Sequence, residues 1–93
     1  MTTKRYSNVW DAIESDPAAA ENMKIRSALM HKLSAFVASS GMTQAEVAEL
    51  LGVSQPRVSD LIRGKIDLFS IDTLVNMLTS AGLHVDVRIR RAS

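Results

Sequence analysis

The stretch TQAEVAELLGVSQPRVSDLIRG, Thr43 to Gly64, decides the fold. Thr43 is a good N-cap, and Glu46 three residues later completes a capping box, so a helix starts here. Val47, Ala48, Leu50 and Leu51 supply its inner face at helical spacing. Gly52 stops it, since a residue without Cβ takes the left-handed backbone of a C′ position at little cost. Ser54 caps the next helix. Pro56 is tolerated in the first turn because its missing N–H would have had no intrahelical partner. Val58, Leu61 and Ile62 give this second helix its inner face, and Ala48 is small where the two helices would cross. Every local choice agrees with a helix-turn-helix unit.

Around this unit, 93 residues make a single domain, residues 1–93. A chain with 46% hydrophobic and 23% charged residues is globular rather than disordered. It is small enough that help from a second subunit fits its modest core. There are no cysteines, which excludes disulfides, thiolate nucleophiles and cysteine-based zinc sites. No run approaches the roughly 18 apolar residues of a membrane span, and the start has no apolar signal core, so the expected location is cytoplasmic. The net charge of +1 is too small to announce nucleic-acid binding, but it is unevenly spread. Asn8 to Glu21 carries −4 from Asp11, Glu14, Asp16 and Glu21. Ser54 to Lys65 carries +2, and so does His84 to Ser93.

Tyr6 to Glu14 holds the only Tyr and the only Trp, with Val9, Trp10 and Ile13 spaced for one face of a helical turn. These residues either close one end of the core or anchor a partner. Asp16-Pro17 starts a helix that runs to about Ser39 and ends at Ser40-Gly41. Ile25, Leu29, Leu33, Phe36 and Val37 form its inner stripe, broadened by Met23, Ala28 and Met30, with Lys24, Arg26 and Lys32 on the solvated face. After the central unit, Lys65 to Phe69 reads as a loop that turns Leu68 and Phe69 back into the core. Ser70 caps a last helix with Ile71, Leu74, Val75 and Leu78 inside and Gly82 at its end.

The period then changes. Leu83, Val85, Val87 and Ile89 alternate with His84, Asp86, Arg88 and Arg90, which predicts a half-buried β-strand over residues 84–90. A lone strand leaves its backbone groups unpaired, and the chain has no second strong strand pattern. Its partner is the same strand of a second subunit, a weak N-terminal strand near Arg5 to Val9, or an edge strand of another protein. The symmetric pair in a homodimer is favoured, with Val85, Val87 and Ile89 as dimerisation residues and Val85 and Val87 near the two-fold axis.

Catalysis finds little support. His31 and His84 lie on different elements without a third metal ligand at a suggestive spacing, and there is no glycine-rich phosphate loop. No enzyme activity, metal or cofactor is expected. A two-helix unit of this kind presents its second helix to the DNA major groove. Ser54, Gln55, Pro56, Arg57, Ser59 and Asp60 are the candidate base-reading residues. Gln can pair bidentately with adenine, Arg with guanine, and Asp60 can accept from cytosine or orient Arg57 or Arg63. Thr43, Gln44, Arg63 and Lys65 suit phosphates.

The arrangement T-Q-A-E-V-A-E-L-L-G-V-S-Q-P-R-V-S-D-L-I-R-G-K resembles the phage-repressor-like, Xre-type helix-turn-helix family, with Gln44, Ala48, Gly52, Val58 and Leu61 in the family's pattern. Asn8-Val9-Trp10, the long first helix and the closing A-G-L-H-V-D-V-R-I-R make it similar to the HigA-type antitoxins within that family, over about Ser7 to Arg90. The resemblance implies a mainly α fold of about five helices, followed here by the C-terminal strand. It also implies a dimeric repressor on a palindromic operator of double-stranded DNA, which neutralises a small ribonuclease toxin and represses the operon encoding both. Pro56 departs from the polar residue common at its place, so readout there would be apolar. The toxin-binding surface is not carried by a motif. The acidic Asn8 to Glu21 segment suits a basic, RNA-binding partner. A stand-alone prophage-type or metabolic regulator, or a protein-interaction module, are the alternatives.

Overall fold

The computed structural model of the chain describes residues 16–91, which form four α-helices and one short 3₁₀ turn. Helix α1, Pro17–Ser40, starts where expected. Asp16 is extended, and its Oδ1 accepts from the backbone N–H of Ala18 at 3.1 Å and of Ala19 at 3.3 Å. Gly41 closes the helix in the left-handed region. Helix α2, Gln44–Leu51, opens with the full capping box. The Thr43 N–H donates to Glu46 Oε1 at 2.8 Å, and the Glu46 N–H donates to Thr43 Oγ1 at 3.1 Å. Such a cap satisfies two donors that the first turn of a helix leaves orphaned.

Gly52 sits at φ 71°, and the Val53 N–H donates back to the Ala48 carbonyl at 3.0 Å, turning the chain into helix α3, Gln55–Ile62. Ser54 caps α3 through the Arg57 N–H at 3.3 Å. After Arg63 and Gly64 comes the 3₁₀ turn, Ile66–Leu68, and then helix α4, Ile71–Ser80, capped by the Ser70 hydroxyl on the Thr73 N–H at 3.1 Å. Helix α1 packs along α4 and touches α3 and the 3₁₀ turn, while α2 packs on α3 and α4.

Leu33 of α1, Val47 of α2, Val58 and Leu61 of α3 and Leu74 of α4 are completely buried together, with Phe69, Met77 and Leu51 among them. Each full burial of such a side chain stabilises the fold by about 1.5–3 kcal/mol. The stripes extend less far than the periodicity suggests. Leu50, expected inside, is 37% exposed, and Ile62 at the end of α3 is 49% exposed. Both lie one position away from a core residue, on the flank of an eight-residue helix that has only one covered side. Ile25 on α1 is also exposed, Leu68 points out while Phe69 points in, and Met77 does the work expected of Val75.

The C-terminal strand expected over residues 84–90 is not found. From Leu83 to Arg91 the chain has no regular secondary structure. Its entry is fixed, because Gly82 at φ 85° reverses the chain and the Leu83 N–H donates to the Leu78 carbonyl at 2.9 Å. Beyond that point no second segment among the described residues offers a ladder. The alternation of side chains is present without the hydrogen bonds that make a strand. The fold is therefore mainly helical, and the fifth helix expected from the resemblance has no counterpart among the described residues. No helix among them is long and apolar enough to cross a membrane. Tyr6, Val9, Trp10 and Ile13 lie outside the described residues, as does most of the acidic segment.

The turn between α2 and α3 provides a direct test. A Cβ added at Gly52 would meet nothing within 4 Å, so any cost of Gly52→Ala comes from the left-handed backbone alone. The expected loss is about 1–2 kcal/mol, read as a lower urea midpoint with an unchanged denaturant slope.

Candidate nucleic-acid interface

Helix α3 is built to have one face in the core and one in solvent. Val58 and Leu61 fill the core, while Gln55 and Pro56 in the first turn are exposed. Ser54, also exposed, uses its hydroxyl as the cap on the Arg57 N–H, which fixes the helix N-terminus. Ser59 and Asp60 are half-buried further along. The exposed first turn leaves amide donors and a partial positive charge facing outward. Gln55 places a two-way donor and acceptor beside it, and the Pro56 ring an apolar surface.

Arg57 does something the spacing did not suggest. Its Nη1 donates to the Leu68 carbonyl at 2.9 Å, and its guanidinium carbon stands 5.1 Å from the centroid of the Phe69 ring. The side chain is half-buried and folded back over the 3₁₀ turn, a cation resting on an aromatic face. The expected pairing of Asp60 with Arg57 or Arg63 is not found among the described ion pairs. Asp60 Oδ1 lies 3.7 Å from Lys65 Nζ instead, a pair that is largely solvated and weak.

Arg26, read from the sequence as part of the solvated face of α1, is a second anchor of the same turn. Its Nη1 donates to the Ile66 carbonyl at 3.3 Å and its Nε to Asn22 Oδ1 at 2.9 Å. The Asn22–Arg26 spacing of one helical turn is the only local signal for it. The bond to Ile66 spans 40 residues, and periodicity cannot see it. Two arginines from different helices thus hold the carbonyls at both ends of the Ile66–Leu68 turn that carries Phe69 into the core.

The candidate phosphate ligands sit on the neighbouring rims. Gln44, the first residue of α2, is exposed beside the Thr43 cap. Arg63 and Lys65 are exposed just past the end of α3. Cationic groups and helix N-terminal amides are the groups that meet a polyanion backbone. Val85 packs against the core, and Val87 and Ile89 are 79% and 90% exposed.

Comparison with known proteins agrees with this geometry. A family of proteins described as a helix-turn-helix domain matches residues 13–90. A solved structure of an XRE-family transcriptional regulator is 32% identical, with a TM-score of 0.72, covering 78% of this chain and 82% of that chain. No curated protein matches the chain significantly.

The arginine contacts predict a separation of roles within one turn of α3. Arg57→Ala should lower stability by about 1–2 kcal/mol, from one charged hydrogen bond and one cation–π contact. Gln55→Ala, which removes an exposed side chain, should leave the unfolding free energy from urea titration within about 0.5 kcal/mol of the parent. Equal midpoints for the two variants would contradict the anchoring role of Arg57.

Proposed function

The chain belongs to the XRE-type helix-turn-helix family, and from that premise we propose that it is a sequence-specific DNA-binding transcriptional repressor that acts as a homodimer on a palindromic operator. The observation that carries the reading is the exposed, capped first turn of α3, which offers Gln55 and Pro56 outward while Val58 and Leu61 hold the helix in the core. An α-helix presented in this way fits the major groove. Gln55 reads a base edge, with adenine its best bidentate partner, and Pro56 lies against an apolar feature such as a thymine methyl. Ser54 and Ser59 flank them. Thr43, Gln44, Arg63 and Lys65 hold phosphates. Asp60 and Arg57 read bases only by leaving the contacts to Lys65 and Leu68 that they make here. The proposal contains no catalytic step and no cofactor.

Within this reading we take the chain to be the antitoxin of a toxin–antitoxin pair that represses its own operon and neutralises a ribonuclease toxin. The support is its resemblance to HigA-type antitoxins and the −4 charge of Asn8 to Glu21, which suits a basic, RNA-binding toxin. Only Asp16 to Glu21 of that segment are among the described residues. Asp16 and Glu21 are exposed there, though the Asp16 carboxylate also caps α1. The solved XRE-family relative is a transcriptional regulator, which favours a second reading as a regulator without a toxin. Co-purification from the native operon separates the two. A small basic protein held in stoichiometric amount supports the antitoxin, and its absence supports the stand-alone regulator.

DNA binding is tested by titrating the protein against its own promoter and against random DNA at several salt concentrations. Preference for the promoter, with affinity falling linearly on a log–log salt plot, is the expected result. Gln55→Ala should cost about 1–3 kcal/mol at the operator and relax sequence preference. Arg63→Ala and Lys65→Ala should weaken binding to all sequences alike and make the salt slope shallower. Equal affinity for promoter and random DNA would sink the proposal.

A further inference from the structure

We infer that Arg26 and Arg57 are positioning residues for DNA binding: from two different helices they fix the Ile66–Leu68 turn and, through it, the place of Lys65 relative to the reading turn of α3. The inference rests on the DNA-binding role proposed above and extends it to a residue of α1, outside the reading helix. Lys65 sits between two anchors. Its N–H donates to the Asp60 carbonyl of α3 at 3.1 Å, and its own carbonyl accepts from the Leu68 N–H at 3.0 Å. The first anchor is as firm as α3 itself. The second is only as firm as a three-residue 3₁₀ turn, which follows the left-handed Gly64 and has no side-chain cap. Turns of this kind have poor hydrogen-bond geometry and little stability of their own.

The two arginines supply what the turn lacks. Arg26 Nη1 donates to the Ile66 carbonyl at 3.3 Å, the same oxygen that accepts from the Phe69 N–H at 3.2 Å. Asn22 Oδ1 accepts from Arg26 Nε at 2.9 Å and so aims the guanidinium. Arg57 joins the turn to the start of the reading helix. Its backbone N–H donates to the Ser54 cap at 3.3 Å, and its Nη1 donates to the Leu68 carbonyl at 2.9 Å. The guanidinium carbon lies 5.1 Å from the centroid of Phe69, a ring that is 1% exposed and cannot follow the arginine outward. A bidentate contact to guanine would break both interactions, so Arg57 stays on the turn when the helix enters the groove. One hydrogen bond from a charged group shifts a local equilibrium by about tenfold. Without it the turn samples arrangements in which Lys65 misses its phosphate, and affinity falls with the fraction that remains competent.

The test titrates the full chain and its variants against its own promoter at several salt concentrations, and against promoter copies changed one base pair at a time. Arg26→Ala and Arg57→Ala should each bind about tenfold more weakly, with the salt slope and the order of base preferences unchanged. The double variant should lose less than the product of the two losses, because both side chains hold one turn. Arg26→Lys and Arg57→Lys keep a cationic donor, which guards against an alanine variant that fails to fold, and should lie between the parent and the alanine variants. Asp16→Ala removes the cap of α1, and a comparable share of stability, without touching the turn; it should keep the parent's affinity. Arg26→Ala at parent affinity, lysine variants no better than alanine, or an equal loss in Asp16→Ala overturns the positioning role. Loss of preference at a single base pair in Arg57→Ala, or a salt slope shallower by about one, makes Arg57 a direct DNA ligand and overturns it too. A parent chain that does not prefer its promoter over random DNA overturns this inference together with the DNA reading. A parent that prefers it, with Arg26→Ala equally tight, overturns this inference alone.

Discussion

The structure depends on one constraint: α2 and α3 have eight residues each, too short to persist as isolated helices in water. Their stability comes from what they bury. Val47, Val58 and Leu61 are buried in one cluster with Leu33 of α1, with Phe69, and with Leu74, Met77 and Leu78 of α4, all of which lie outside the two-helix unit. The capping box, the Gly52 turn and the Ser54 cap set the shape of the unit, at about 1 kcal/mol per cap. The surrounding helices supply the energy that keeps it, and so fix the angle at which α3 is presented.

Phe69 shows how that support is completed. It belongs to the short stretch between α3 and α4, yet it is among the most buried side chains. The Ile66–Leu68 turn that delivers it is held at one carbonyl by Arg26 and at another by Arg57, and the Arg57 guanidinium also lies over the Phe69 ring. A positive charge at the reading helix is thus spent on holding the domain together. This leaves a small outward face with Gln55 and Pro56 in front and the exposed Arg63 and Lys65 on its rim.

Much of this was legible in the residues taken in order. Asp16, Thr43 with Glu46, Ser54 and Ser70 mark helix starts, and Gly41, Gly52 and Gly82 mark ends, because caps and left-handed turns are local events with few residue solutions. The position of α3, the exposure of its first turn and the central core residues came from the same local logic. Leu50 and Ile62 misled because helical spacing places a residue on a flank as readily as in the core, and only the number of covering helices decides which. The contacts of Arg26 and Arg57 to the Ile66 and Leu68 carbonyls are invisible in the sequence, because those partners are remote along the chain and carry no side-chain signature.

By itself, then, the sequence determined the four described helices, their boundaries and the helix-turn-helix at their centre, since hydrogen-bond caps and periodicity act within a few residues. The tertiary structure decided which apolar residues are covered, and it turned Arg57 inward to the 3₁₀ turn. It also left residues 84–90 without strand hydrogen bonds. These depend on neighbours brought together from distant parts of the chain. An alternating pattern can specify the faces of a strand, but the ladder needs a second backbone, and the described residues of one copy contain none.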